Sequence, residues 1–175
     1  MRRAAALARC MQAGAAVPAR ALAQLGLCLL IAFAAATLVD GLMRGVFASP
    51  IDAVRDLGEL VVAVAISACF PLAFLEQRNI AVSLLGGLPG RRGQALLDLV
   101  VAAVVTVMMA LFAWEFAVYA RQLALAGETT AMLEWPKAPF WVVVDANLWL
   151  TLTAQAVVLL RHALTLAAPL PARHG

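Results

Sequence analysis

Charge-free runs of apolar residues recur four times along the chain, at 21–39, 60–75, 99–114 and 146–160, separated by turn-formers or charged clusters. Each is close to the ~20 residues that a helix needs to cross the hydrocarbon core of a bilayer. The second run is short on its own, but Ser49 followed by Pro50 has the form of a helix start, with the Ser as N-cap and the Pro at the first helical position. A helix from Pro50 would begin in the membrane interface and then cross. The pattern therefore predicts an all-α integral membrane protein of four transmembrane helices with short interfacial helical segments. Its parts are a basic leader at 1–20, one four-helix transmembrane domain at 21–161, and a tail at 162–175.

Composition narrows this further. Hydrophobic residues make up 65% of the 175 positions and charged residues 13%, and mean hydropathy is +0.94. A soluble domain would be near half apolar. Ala34, Ala35 and Ala36 in the first run offer small residues at a conceivable signal cleavage site. Even so, the first apolar run is longer than a signal core, so a retained helix is expected.

Lys and Arg set the predicted orientation, because cytoplasmic loops carry the positive excess. Arg2, Arg3, Arg9 and Arg20 precede the first run, Arg78, Arg91 and Arg92 lie between the second and third, and Arg161 and Arg173 follow the fourth. The two remaining loops hold Arg44, Arg55, Arg121 and Lys137, diluted by Asp52, Asp56, Glu128 and Glu134. Both termini are thus predicted to be cytoplasmic, in a bacterial inner membrane. This asymmetry accounts for the net charge of +3; no aromatic-interleaved basic patch points to nucleic acid. Arg2, Arg9 and Arg20 would share one side of a helix, suited to an anionic membrane surface, unless the leader is a frayed basic tail broken by Gly14 and Pro18.

Catalytic chemistry finds little to work with. Cys10, Cys28 and Cys69 show no CxxC spacing, and the two histidines are His162, just past the fourth run, and His174 in the tail. Haem ligation within the bundle, paired metal ligands and a phosphate-binding glycine loop are all without candidates, so neither an enzyme nor a cofactor is expected. The acids draw more attention, since an ionisable group in a membrane helix is a functional candidate by default. With the orientation above, Asp40, Glu59, Glu115 and Asp145 fall at the periplasmic ends of the four spans, and Asp40 and Arg44 have the i,i+4 spacing that lets side chains meet. They form either an interfacial ring of hydrated ion pairs or a docking surface for a partner. Asn147, Thr151 and Gln155 repeat at about one helical turn in the last span, a stripe suited to helix-to-helix hydrogen bonding. Trp114, Phe116, Tyr119, Trp135, Phe140 and Trp141 gather near the same predicted interface as an aromatic belt. Gly127 is placed to end the third helix.

Several segments, in order, carry a family resemblance. They are Arg44-Gly45-Val46-Phe47 with Pro50, Asp56-Leu57-Gly58-Glu59-Leu60, Arg78-Asn79-Ile80-Ala81-Val82, Leu88-Pro89 before Arg91, and Thr129-Thr130 through Trp135-Pro136 with Pro139-Phe140. Together they resemble the small membrane subunit of tripartite ATP-independent periplasmic (TRAP) transporters, over about residues 38–160. The family often has His and Asp where this chain has Asn79 and Ser83. The resemblance implies a non-catalytic subunit in the lipid bilayer that scaffolds a larger membrane subunit holding the substrate and sodium sites. A periplasmic substrate-binding protein would deliver organic acids such as dicarboxylates. It also implies a periplasmic-end polar network or partner contact at Asp40, Arg44, Glu59, Glu115 and Asp145, and cytoplasmic interfacial anchoring by Arg78, Asn79, Arg91 and Arg92. The competing expectation is a self-sufficient homo-oligomeric carrier using Glu59 or Glu115.

Overall fold

The computed structural model describes residues 2–76 and 91–167, with the side chains of 2–13, 15, 91, 92, 165 and 167 outside that description. Four helices account for nearly all of it: α1 (Arg2–Phe47), α2 (Asp52–Leu75), α3 (Arg91–Ala126) and α4 (Ala138–Ala167). Even α2, with 24 residues, is about 36 Å long at 1.5 Å per residue, enough to cross a ~30 Å hydrocarbon core. All four are long and apolar enough to span a membrane. Residues 2–20 continue directly into the first span as part of α1, with Pro18 inside the helix.

The second helix starts two residues later than the Ser49-Pro50 pattern predicts. Ala48 adopts a left-handed conformation (φ 52°), and the Ser49 N–H donates back to the Met43 carbonyl at 3.4 Å. The Ser49 backbone therefore closes α1, two residues ahead of the N-cap position of α2. Ile51 becomes the N-cap residue, without a side-chain cap of its own, and its N–H donates to Asp40 Oδ1 at 2.6 Å. A carboxylate near the end of one helix thus satisfies the backbone at the start of the next.

Packing runs in the order α1, α2, α4, α3, with α1 also touching α4, while α2 and α3 barely meet. Met109, Ala113, Val144 and Leu148 form the α3–α4 core, and Ala19, Leu75 and Ala154 join α1, α2 and α4 nearer the other end. The α1–α2 seam is closer than ordinary side chains permit. A Cβ on Gly26 would lie 2.6 Å from the Ala65 carbonyl oxygen and 3.0 Å from Ala68 Cβ. Small residues let membrane helices approach this way, in the absence of a hydrophobic drive between helices already in lipid. Large apolar side chains remain exposed on the outer helices, among them Leu25, Ile31 and Leu38 on α1 and Val104, Leu111 and Trp114 on α3.

Candidate functional site

Because successive helices alternate in direction, the α1–α2 turn and the α3–α4 connection lie at the same end of the bundle. Asp40 organises the first of these. It is buried, holds the Ile51 N–H, and accepts from an Arg44 guanidinium nitrogen at 3.1 Å, the i,i+4 pair expected from the spacing. One carboxylate therefore serves both as a helix-start acceptor and as half of an ion pair.

The second connection is a folded hairpin-like loop. Gly127 (φ 63°) ends α3, and the Glu128 N–H donates to the Leu123 carbonyl, closing a Schellman-type cap. The Thr130 N–H donates to the Trp135 carbonyl at 2.8 Å, and the Lys137 N–H to the Glu128 carbonyl at 3.1 Å. Inside the loop, the buried Thr130 accepts the Trp135 N–H on its Oγ1 at 3.1 Å. Asp56 of α2 ties the loop down, its Oδ2 accepting the N–H groups of Met132 at 2.9 Å and Leu133 at 2.8 Å. Carboxylates that accept backbone N–H bonds make some of the stronger hydrogen bonds available to a protein. The result is a fixed loop that presents Met132 and Trp135, both more than half exposed.

The other sequence-predicted residues do not join one network. Glu59 and Glu115 are exposed, and neither has a hydrogen bond or ion pair among the described residues. Asp145 is half-buried, with Oδ1 enclosed and without a hydrogen-bond partner. Arg78 and Asn79 lie outside the described residues; Arg91 and Arg92 open α3, but their side chains also fall outside the description. At the opposite end Arg20 approaches Glu76 at 3.7 Å.

Within the spans, the polar stripe of α4 is consumed by bonds inside the bundle. Asn147 Nδ2 donates to Ser67 Oγ of α2 at 2.9 Å, and Ser67 in turn donates to the Val64 carbonyl. Thr151 donates to the Asn147 carbonyl at 2.7 Å, and Gln155 Nε2 reaches the Ala102 carbonyl of α3 at 3.3 Å. The stripe thus ties α4 to both of its long neighbours. Among the described residues no group of three His, Cys, Asp or Glu is arranged to hold a metal ion.

Sequence reasoning did not single out Asp56 or Gly26. Asp56 had a signal, since it opens one family-like segment and binds the loop formed by another, more than 70 residues away. For Gly26 the signal was small residues at helical spacing, Ala19, Ala23 and Gly26 in α1 against Ala65, Ala68 and Cys69 in α2.

A family model described as "Tripartite ATP-independent periplasmic transporters, DctQ component" matches residues 33–166. No curated protein and no solved structure matches the chain. The match takes in the last third of α1, both connections at the Asp40 end, and α2 to α4 except for the final residue of α4. The chain belongs to this family: it is a small membrane subunit of a TRAP transporter and a multi-pass inner-membrane protein.

Proposed function

We propose that this DctQ-family subunit is a non-catalytic scaffold that holds the larger membrane subunit of its transporter in the bilayer. In this reading the larger subunit binds substrate and sodium, and a periplasmic binding protein delivers organic acids such as dicarboxylates. The observation that carries the reading is the fate of polarity inside the spans. Asn147 donates to Ser67 of α2 and Gln155 to the Ala102 carbonyl of α3, while Ser67 donates onward within its own helix, and the central stretches of all four spans carry no charge. A carrier needs membrane-embedded groups free to exchange partners with substrate or ion. A scaffold needs helices fixed to one another, which this spine supports.

Both termini are assigned to the cytoplasm on the distribution of Arg and Lys. That assignment places the Asp40 pair and the Asp56-anchored loop on the periplasmic side, where a binding protein would meet the exposed Met132 and Trp135. The test is a mild-detergent pull-down of the tagged chain from its native membrane, with mass spectrometry of what co-purifies. A large polytopic membrane protein in stoichiometric amount is expected. A clean homo-oligomer, with transport by the chain alone abolished in the Glu59→Gln, Glu115→Gln double variant, would replace the scaffold by a self-sufficient carrier.

A further inference from the structure

Where α2 and α3 diverge, an open apolar groove of about 490 Å³ exposes the face of α4 between them. Phe70 and Phe74 of α2 form one wall, Phe112 and Phe116 of α3 the other, and Trp141 and Leu148 of α4 the floor. Ser67 also lines it, but its hydroxyl is already occupied by Val64 and Asn147. The α2 wall runs from Ala63 to Phe74, about 16 Å or three helical turns. A helix seated there would touch α2, α3 and α4 at once, closing the gap that this chain leaves open.

Charge distinguishes the groove from the rest of the apolar surface. Neither acid lines the groove itself, but each lies one helical turn beyond a residue that does, Glu59 beyond Ala63 on α2 and Glu115 beyond Phe112 on α3, both toward the loop end. The two carboxylates are exposed and have no cationic partner among the described residues. Glu59 sits about 10 Å inside α2, a helix only slightly longer than the ~30 Å hydrocarbon core, deeper than a lipid amine in the headgroup layer. A Lys or Arg carried on a partner helix can reach that level, with its stem along apolar surface. The outer face of α1, by contrast, is charge-free from 21 to 39 and offers a partner nothing that lipid does not.

Resting on the scaffold reading above, we infer that the α2–α3 groove seats a transmembrane helix of the larger subunit. That helix presents an apolar stripe over three turns and a Lys or Arg facing Glu59 and Glu115 at its loop end.

The test places a photo-crosslinking amino acid at Phe70, Phe112 or, as control, Ile31 on the outer face of α1, in the complex purified from native membranes. Crosslinks to the larger subunit from Phe70 and Phe112 but not from Ile31 are expected. The charge-reversed double variant Glu59→Lys, Glu115→Lys should lower recovery of the larger subunit at least about tenfold, with Glu59→Gln, Glu115→Gln intermediate. Each variant chain must elute alone as the wild type does, which separates lost docking from lost folding. Crosslinking of the larger subunit from Ile31 alone, or of groove positions to lipid or to a second copy while the larger subunit is still recovered, overturns the groove assignment and leaves the scaffold reading intact. If no larger subunit accompanies the wild-type chain, both fall.

Discussion

Gly26→Ala tests the α1–α2 seam directly. The added Cβ would meet the Ala65 carbonyl oxygen at 2.6 Å, where ordinary contact begins near 3.4 Å, with Ala68 Cβ at 3.0 Å behind it. The obstruction is backbone and a side chain with no rotamer to change, so the helices must separate by about 0.8 Å at this level, losing dispersion contacts along the seam. Overpacking of this kind costs about 1–3 kcal/mol, while replacing Gly by Ala inside a helix returns about 1 kcal/mol. The expected net loss is therefore about 1 kcal/mol, or an apparent Tm lower by roughly 2–4 °C for a chain of this size. Gly26→Val, with its branched side chain against the same carbonyl, should fall further. The internal control is Gly41→Ala on the same helix, where nothing lies within 4 Å of the added Cβ, so only the helix-propensity gain remains. Thermal unfolding of the purified chain in one detergent, followed by circular dichroism, reads all three. If Gly26→Ala raised the Tm as much as Gly41→Ala, the close backbone approach of α1 to α2 would be wrong.

Three further outcomes follow from other parts of the structure. Ser67→Ala strands the buried Asn147 amide donor and should cost about 0.5–1.5 kcal/mol; adding Asn147→Ala should then cost less than it does alone, and additive losses in the double-mutant cycle would exclude the bond. Ala48→Gly relieves a left-handed alanine at the end of α1 and should stabilise the chain by about 0.5–1 kcal/mol, visible as a raised Tm; a lowered one would contradict the turn geometry. Asp56→Ala removes the acceptor of the Met132 and Leu133 N–H groups, so hydrogen exchange at those two amides should quicken while the Thr130 amide, bonded within the loop, changes less. Unchanged exchange at Met132 and Leu133 would refute the tether.

The four spans were legible in the sequence because the length of an apolar run is a local quantity, and the bilayer sets the length required. The α4 stripe, the Asp40–Arg44 pair and the Gly127 stop were legible for the same reason: each depends on residues within about two helical turns of one another. The start of α2 was misread by two residues because its cap comes from Asp40, eleven residues back on another helix. Tertiary structure alone decided that Asp56 holds the α3–α4 loop, that Gly26 sets the α1–α2 distance, and that α2 and α3 part to leave a groove over α4. In a soluble bundle the polar faces of helices announce which sides turn inward. In a membrane both the lipid-facing and the helix-facing sides are apolar, so hydrophobic periodicity is silent about pairing, and only the fit of small residues and the satisfaction of buried polar groups decide it.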